Sequence, residues 1–301
     1  MTVLVTGAAG FIGYHVAEAL LARGEQVIGV DNVNDYYDVR LKEARLSRLA
    51  GRNGFTFHRI DLADYKAMST LMKEAGDIRR IVHLAAQAGV RYSIENPFAY
   101  VHANLVGHMT VLEIARHQPD FEHLVYASSS SVYGGNTKLP SCVDDPTDTP
   151  VSLYAATKKA DELMSHSYSH LYRIPQTGLR FFTVYGPWGR PDMAMYIFSK
   201  AIVAGKPISV FNHGDMRRDF TYVDDIVSGI LASLDNPPVV TEGAAPCRVY
   251  NIGNHRSEPL MRMIGLIEDA LGKKAEIDFQ PMRPGDVKES FADIDAISKD
   301  T

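Results

Sequence analysis

Short apolar runs alternate with helical stretches along the first 180 or so residues. The apolar runs are TVLVTG, QVIGVD, FTFHRID, RRIVHLAA, HLVYASSS and TGLRFFTVYG. Between them, the spacing of apolar residues predicts helices at about 13–23, 97–116 and 152–173. Strands that alternate with helices form a parallel sheet covered by helices on both faces. The sequence therefore predicts an α/β fold with a doubly wound parallel sheet.

A glycine-rich turn follows the first predicted strand. VTGAAGFIG places Gly7, Gly10 and Gly13 between that strand and a helix. Glycines at such a turn let the backbone approach a pyrophosphate, whose charge then lies at the helix N-terminus. Asp31 ends the second strand, where a carboxylate accepts hydrogen bonds from a ribose 2′-hydroxyl and repels a 2′-phosphate. The combination predicts a Rossmann-type dinucleotide site that prefers NAD to NADP.

Asp61 ends the third apolar run, FTFHRID. A carboxylate at this strand end could face the adenine of a dinucleotide. It could equally cap the helix that follows, since aspartate is a preferred N-cap residue. The sequence leaves both interpretations open.

The composition changes after about residue 180. Proline and glycine become frequent there, in GPWGRP, GKP, NPP and RPGD. We therefore predict an NAD-binding domain over residues 1–179 and a smaller substrate-binding region over residues 180–301. RVYNIG has the pattern of a strand, so we expect elements within about 220–256 to return to the sheet of the first domain.

Tyr154 and Lys158 lie four residues apart in SLYAATKKADEL. This spacing places both side chains on one face of an α-helix. A neighbouring ammonium group favours phenolate over phenol, and an oxidised nicotinamide ring acts in the same direction. A second pair, Tyr196 and Lys200 in YIFSK, lies beyond the predicted sheet and is attributed to chance. We therefore predict that Tyr154 is a base, with an ordinary surface pair as the alternative.

A run of serines ends the strand before this helix, in YASSSSVYG. Open α/β sheets bind ligands at the carboxyl ends of their strands. A tyrosine base also needs a hydrogen-bond donor that orients the reacting oxygen. Ser129, 25 residues before Tyr154, is the candidate.

Composition and charge argue against several other classes of protein. The net charge is −5 and the basic residues form no stripe, so we expect no nucleic-acid partner. The two cysteines and eleven histidines show no metal-ligand spacing, so we expect no metal and no disulfide framework. No apolar run reaches the roughly 18 residues of a membrane span, which favours a cytoplasmic protein without a membrane partner.

Four motifs together resemble the extended short-chain dehydrogenase/reductase family: TGAAGFIG, HLAAQAG, ASSSSVYG and YAATK. Within that family, DNVNDYYDVRLKEARL, AAQAGVRYSIENP, YGPWGRPDMA and DFTYVDDI are similar to the UDP-glucuronate 4-epimerases. The resemblance covers nearly the whole chain. It implies tightly bound NAD, a UDP-sugar whose C4 is inverted through a transient 4-keto intermediate, and a homodimer.

The same resemblance implies roles for individual residues. NAD-contacting positions map onto Gly7, Gly10, Phe11, Ile12, Gly13, Asp31, Asn32, Asp61, Leu62, Leu84, Ala85, Ala86, Asn104, Tyr154 and Lys158. The catalytic serine or threonine position maps onto Ser129, with Ser130 and Ser131 beside it. Substrate-facing positions map onto Thr183 and, for the nucleotide diphosphate, onto Arg218, Arg283 and Asp286. The chain ends at DIDAISKDT, where relatives continue through another helix, so either the tail is missing or this edge is unusual.

A glucuronate substrate adds a chemical hazard. Oxidation at C4 turns the C5 carboxylate into a β-keto acid, which readily loses CO₂, so the enzyme must restrain that carboxylate. Arginine is suited to this because its planar fork makes two parallel hydrogen bonds. Arg190 in GRPDM is the first candidate and Arg91 in GVRYS the second. The alternative for either is a surface or phosphate-contacting arginine.

Other functions remain open at this point. UDP-glucose 4-epimerase is the closer alternative, and a neutral sugar pocket would favour it. Dehydratases and UDP-glucuronate decarboxylases of the family carry an acidic residue just before VYG, where this chain has Ser130 and Ser131. A catalytically inactive NAD-binding scaffold would lack part of the Ser129, Tyr154 and Lys158 set.

Overall fold

A seven-stranded parallel sheet forms the centre of the computed structural model, which describes residues 1–283 and 285–301. In spatial order its strands are β11 (Cys247–Ile252), β6 (Gln176–Phe181), β5 (His123–Ser129), β4 (Arg80–His83), β1 (Thr2–Thr6), β2 (Gln26–Asp31) and β3 (Phe55–Arg59). Every pairing in this sheet is parallel. The chain order reverses between β1 and β4, which opens a crevice at the carboxyl ends of the strands. The predicted Rossmann-type sheet is confirmed.

Helices cover both faces of the sheet. The helices of the first half are α1 (Phe11–Ala22), α2 (Val39–Ala50), α3 (Tyr65–Ala75), α4 (Tyr92–Glu95), α5 (Pro97–Tyr100), α6 (Gly107–His117) and α7 (Leu153–Tyr172). Helix α7 agrees with its prediction to within one residue at each end, and α1 begins two residues early because Gly10 is its N-cap. The predicted helix at 97–116 is instead α5, a π-helix at Val101–Val106, and α6.

Alternate residues of β1 show how the two faces are packed. Val3 and Val5 contact a core that includes Leu20 of α1, whereas Leu4 contacts a core that includes Leu112 of α6. Side chains of a strand point alternately to opposite faces, so a strand buried on both faces must be apolar throughout. This is why TVLVT has no polar alternation.

The second half of the chain contributes elements in two places. They are β7 (Thr183–Tyr185), α8 (Ala194–Val203), β8 (Ile208–Val210), β9 (Arg217–Arg218), β10 (Phe220–Tyr222), α9 (Val223–Asp235), β12 (Glu258–Pro259), α10 (Leu260–Leu271), β13 (Ile277–Phe279), β14 (Glu289–Ser290) and α11 (Asp295–Asp300). Helix α9 packs on α1, and α11 packs on β11, so both cover the main sheet. Helices α8 and α10 share a separate core with β8 and β13. Within the described ranges, no helix is long and apolar enough to cross a membrane.

Candidate active site

A cavity of about 260 Å³ lies at the carboxyl ends of the sheet strands, where the strand order reverses. Residues at or just after the carboxyl ends of β1 to β6 contribute to it, as do the first turn of α1 and the first two turns of α7. Sequence-predicted residues in its wall are Gly7, Gly10, Phe11, Ile12, Gly13, Asp31, Asn32, Asp61, Leu62, Leu84, Ala85, Ala86, Ser129, Tyr154, Lys158 and Arg190. The structure thus brings most of the predicted cofactor and catalytic residues together.

The glycine turn leaves no room for side chains. Gly7 has φ +73°, and a Cβ there would lie 2.7 Å from the Ala85 backbone nitrogen. A Cβ at Gly13 would lie 2.1 Å from the Gly7 carbonyl oxygen. Gly10 caps α1 without a side-chain hydrogen bond, so the first-turn N–H groups stay available to a ligand. This cradle fits a pyrophosphate at the helix N-terminus.

Asp31 is held rigidly at the end of β2. Its carboxylate accepts hydrogen bonds from the backbone N–H groups of Val33 at 2.7 Å and Ala9 at 3.1 Å. Burial raises the pKa of Asp31, and the hydrogen bond from Val33 opposes that shift. Lys42, which lines the same cavity, also lowers the pKa through its charge. The carboxylate is therefore fixed where a ribose hydroxyl would find an acceptor.

Asp61 does not cap the following helix. Its side chain accepts a hydrogen bond from the Ala63 N–H at 2.9 Å and another from Asn32 Nδ2 at 3.2 Å. The N-cap of α3 is Asp64, which accepts from the Ala67 N–H at 3.0 Å. The capping interpretation of Asp61 is wrong, and its carboxylate stays at the cavity beside Asn32.

Tyr154 lies in the first turn of α7. The Ser152 side chain caps this helix by accepting from the Ala155 N–H at 3.1 Å, which fixes where the helix begins and hence where Tyr154 points. Ser129, at the end of β5, reaches the same cavity, and its Oγ accepts from the Ser131 N–H at 3.1 Å. In the described cavity wall, Ser128 and Ser129 are present, whereas Ser130 and Ser131 are not.

The second tyrosine–lysine pair lies elsewhere. Tyr196 and Lys200 are on α8, and 48% of the Tyr196 surface is exposed. Tyr196 borders a neighbouring cavity of about 510 Å³, which Thr183 and Arg190 also line. In the described wall of the cavity at the glycine turn, neither Tyr196 nor Lys200 is present, and the interpretation of this pair as a chance match stays a prediction.

Lys158 has a partner that the sequence analysis missed. Its Nζ lies 2.8 Å from Oδ2 of Asp161, three residues further along α7, and only 3% and 1% of the two side chains are exposed. Burial alone would lower the pKa of Lys158, but the charges of Asp161 and Tyr154 outweigh it and raise that pKa. Burial raises the pKa of Asp161 to about 6, and Lys158 opposes this shift.

A buried network ties the end of β5 to α7 and β6. Ser128 Oγ donates to Glu162 Oε1 at 2.6 Å, and Arg180 donates to both oxygens of Glu162 at 2.9 and 3.0 Å. Arg180 also donates to the Tyr133 hydroxyl at 2.9 Å. These bonds fix the strand end that carries Ser129 relative to the helix that carries Tyr154. Periodicity cannot reveal such a network, because its members lie on separate elements.

Arg190 lines the cavity, and its guanidinium group is already paired with a carboxylate of the protein. Its Nε lies 3.0 Å from Asp192 Oδ1, and its Nη2 lies 2.5 Å from Asp192 Oδ2. The Tyr36 hydroxyl donates to the same carboxylate at 3.1 Å. Burial and the Asp192 charge raise the pKa of Tyr36 to about 12, so it stays a neutral donor. The bidentate contact that we predicted between Arg190 and the substrate carboxylate is made with Asp192 in this structure.

Four other predicted substrate residues form a separate cluster: Arg91, Arg218, Arg283 and Asp286. The guanidinium groups of Arg91 and Arg283 lie 5.3 and 3.4 Å from the centroid of the Phe211 ring. Arg91 Nη2 also lies 3.7 Å from Asp286 Oδ2. Arg218 donates to the Val287 carbonyl oxygen at 2.7 Å, and burial lowers its pKa against the charge of Asp286. Three cations around one carboxylate leave this cluster positive.

Asn104 does not line the described cavity wall. It lies in the π-helix, where its amide oxygen accepts from the Gln87 N–H at 2.8 Å and its nitrogen donates to Thr157 Oγ1 at 2.9 Å. It therefore joins the loop after β4 to α7, one residue before Lys158. Direct contact between Asn104 and NAD stays a prediction.

Sequence reasoning missed other residues that line the cavity: Asn34, Tyr36, Tyr37, Lys42, Ile60, Gln87, Ala88, Ala103, Ala127, Ser128, Phe181, Phe182, Val184 and Met193. Several belong to DNVNDYYD, a motif that the sequence analysis noted without assigning its side chains. In the part of the chain that the structure describes, no group of three or more His, Cys, Asp or Glu side chains could hold a metal ion.

The fold and this cavity define a dinucleotide-dependent enzyme of the short-chain dehydrogenase/reductase class. The sequence model of the NAD dependent epimerase/dehydratase family matches residues 3–253, and the chain belongs to that family. It is 50% identical over 304 residues to UDP-glucuronate 4-epimerase 4 of Arabidopsis thaliana, covering 98% of this chain and 69% of the relative.

Two solved structures are also similar. The UDP-glucuronic acid 4-epimerase from Bacillus cereus, in complex with UDP-glucuronic acid and NAD, has a TM-score of 0.91 and 35% identity, covering 100% of this chain and 92% of that one. The UDP-glucose 4-epimerase from Thermotoga maritima, with UDP-glucose, has a TM-score of 0.87 and 28% identity, covering 99% and 92%.

Proposed function

We propose that this protein is an NAD-dependent epimerase that inverts C4 of UDP-glucuronate to give UDP-galacturonate through a 4-keto intermediate. One observation carries the proposal. The Ser129, Tyr154 and Lys158 side chains converge on the cavity that also contains the glycine turn, and Arg190 lies at that same cavity. The similarity to UDP-glucuronate 4-epimerases supports the choice of substrate.

The residues around the glycine turn fit NAD. The first-turn amides of α1 would hold the pyrophosphate, Asp31 the adenosine ribose, and Asp61 with Asn32 the adenine side. Lys158 would hold the ribose beside the nicotinamide. When bound, NAD supplies the group that takes a hydride from the sugar carbon and gives it back. We propose that it stays tightly bound, because each turnover regenerates it.

Tyr154 acts on the proton of the sugar 4-hydroxyl. Its phenolate removes this proton as the carbon is oxidised, and the resulting phenol returns the proton after reduction. Ser129 donates a hydrogen bond to the reacting oxygen. Acid–base catalysis of this kind supplies roughly 10²–10⁴-fold in rate. Fixing base and substrate in contact adds the advantage of preorganised geometry. Because Tyr154 returns the same number of protons that it removes, the complete reaction causes no net proton release.

Inversion requires that the 4-keto sugar present its opposite face before reduction. The positive cluster of Arg91, Arg218 and Arg283 would hold the diphosphate during that rotation. Thr183, in the adjoining cavity with Arg190, would face the sugar. The anchor is then the nucleotide, and the hexose is the part that turns.

Arg190 would restrain the C5 carboxylate against decarboxylation. Its fork contacts Asp192, so the substrate carboxylate must share or displace that partner. Arg91 is the weaker candidate, because it lies with Arg283 and Asp286 in the proposed diphosphate cluster.

UDP-glucose 4-epimerase is the alternative function, since a structure with that activity shares the fold at a TM-score of 0.87. The two readings differ at Arg190. A neutral hexose has no charged group that would pair with the partly buried Arg190 guanidinium at the sugar cavity. An assay with both UDP-glucuronate and UDP-glucose decides between them, and we expect the C4 epimer of UDP-glucuronate as the main product.

Tyr154→Phe tests the catalytic assignment. The variant removes only the phenol oxygen, so we expect it to keep bound NAD while its epimerase rate falls by at least about 10²-fold. Absorbance of NAD released on denaturation reports the cofactor, and NMR of the sugar products reports the rate. A variant that epimerises near the wild-type rate would show that Tyr154 is not the base.

We further propose a homodimeric, cytoplasmic protein with an NAD-binding domain at 1–179 and a substrate-binding region at 180–301. Exposed apolar side chains on α5 and α7 support a partner surface: Phe98 is 82% exposed, Leu163 60% and Leu171 62%. Both cysteines are free thiols, which suits a reducing compartment. Sedimentation equilibrium of the wild type and of Phe98→Glu tests the dimer, and a monomeric wild type would exclude it.

A further inference from the structure

Asp161 is a buried carboxylate with one evident partner. Oδ2 accepts from Lys158 Nζ at 2.8 Å, while Oδ1 is buried without a hydrogen bond to any residue that the structure describes. Breaking a buried ion pair by removing one partner is strongly destabilising, and keeping a pair buried is itself costly. The Asp161–Lys158 pair also lies beneath the proposed base, on the face of α7 that Tyr154 shares.

Few other charges act on the pair. From α6, the His108 ring faces Lys158, and from β4 the His83 ring does so, and burial keeps both rings neutral by lowering the pKa of each. From β5, the buried Tyr126 hydroxyl faces Asp161, and burial raises its pKa, so it too stays neutral. On α7 itself, Glu162 is neutralised by Arg180 from β6. Asp161 is therefore the nearest compensating charge of Lys158. Two groups from other segments act on Tyr154 itself: the Arg190 cation, which is paired with Asp192, and the Tyr100 hydroxyl, which burial keeps neutral by raising its pKa.

We propose that Asp161 is a positioning residue that fixes the Lys158 ammonium group and limits the positive field acting on the Tyr154 oxygen. This inference rests on the proposed function, in which Tyr154 is the base and Lys158 favours its ionised form. An ammonium group paired at 2.8 Å attracts a second anion less strongly than an unpaired one does. The chain thereby sets the pH range over which the base can work.

Removing the Asp161 charge should therefore shift the pH dependence. In Asp161→Asn the uncompensated Lys158 charge favours the Tyr154 phenolate, so the acid limb of the kcat profile moves to lower pH. Lys158 also loses the anion that raises its pKa, so the alkaline limb moves in the same direction. A unit charge close to a titratable group inside a protein shifts the pKa of that group by about one unit or more. The whole profile moves toward acid by about that amount.

The test compares wild type, Asp161→Asn and Asp161→Ser as NAD-loaded proteins. Asp161→Ser is a second neutral variant with a smaller side chain. It leaves room for a water molecule that accepts a hydrogen bond from Lys158. Asp235→Asn is the matched control, because Asp235 pairs with Arg23 on the outer surface of α9. Two readouts are taken: the pH profile of kcat, and the part of the ultraviolet tyrosinate absorbance that is missing in Tyr154→Phe.

We expect both Asp161 variants to ionise the Tyr154-dependent chromophore at lower pH than wild type, and Asp235→Asn to match wild type. Unchanged midpoints with a lower kcat would overturn the proposal and leave Asp161 a purely structural residue, as would a shift toward alkaline pH. The absorbance readout needs no turnover. It therefore tests the inference even if UDP-glucuronate is not epimerised, which would refute only the proposed function.

Discussion

The buried His123 predicts a specific acid sensitivity. It begins β5, away from the cavity wall, with its Nδ1 3.2 Å from the Leu234 carbonyl oxygen and its Nε2 2.9 Å from Thr177 Oγ1. Burial lowers the pKa of His123 to about 4, against a smaller opposing effect of the Leu234 carbonyl. The folded protein therefore keeps this ring neutral at pH values where an unfolded chain would protonate it.

The sign and size of the effect follow from that difference. An unfolded histidine has a pKa near 6.5, so below that pH the unfolded chain binds a proton that the folded chain does not. A lowered histidine pKa thus contributes stability above about pH 6.5 that is lost as the pH falls toward 4. At about 1.4 kcal/mol per pH unit, the loss over this window is about 3 kcal/mol from His123 alone.

His123→Gln removes this linkage while keeping a neutral amide near Thr177. We expect the variant to be about 1–2 kcal/mol less stable than wild type near neutral pH, the cost of an imperfect hydrogen bond in the core. This difference should shrink and then reverse as the pH falls toward 4. Urea unfolding at several pH values, followed by the fluorescence of Trp188, the only tryptophan in the chain, measures it. Stability curves that stay parallel between about pH 7 and 4 would refute the reasoning.

Two further variants test the site itself. Gly13→Ala should lose bound NAD, because the new Cβ would lie 2.1 Å from the Gly7 carbonyl oxygen. Gly51→Ala is the control and should retain NAD, because open space surrounds that position. The NAD content of each purified protein tests both expectations. Arg190→His should weaken UDP-glucuronate binding by about 10-fold or more and release a UDP-pentose, since the carboxylate loses a charged bidentate partner; unchanged KM with no pentose would contradict that role.

Much of the fold could be predicted because it depends on local patterns. The apolar runs predicted β1 to β6, and the spacing of apolar residues predicted α7. Helix α2 escaped prediction because VRLKEARLSRLA carries several charges, and its buried Arg45 hydrogen-bonds the Ala9 and Trp188 carbonyl oxygens. A buried arginine looks like a surface residue in sequence.

The site was harder to predict where partners come from distant segments. Tyr154 and Lys158 share one helix, so their spacing is informative. The Arg190–Asp192 contact could in principle be predicted, since the two residues are only two positions apart in GRPDM. The contact of Tyr36 with Asp192 depends instead on packing between segments 156 residues apart. Lys158 and Asp161 both lie in SLYAATKKADEL. Their pairing could have been predicted by asking which acidic residue compensates the charge of a buried lysine.

The proposed reaction returns one hydride to the carbon that lost it. Incubating the purified protein with UDP-glucuronate deuterated at C4 tests this directly, with the product analysed by NMR and mass spectrometry. We expect the C4 epimer to form with its deuterium still at C4 and with no deuterium released to water. An epimer that has lost the label to solvent, or failure of any epimer to form, would contradict the account.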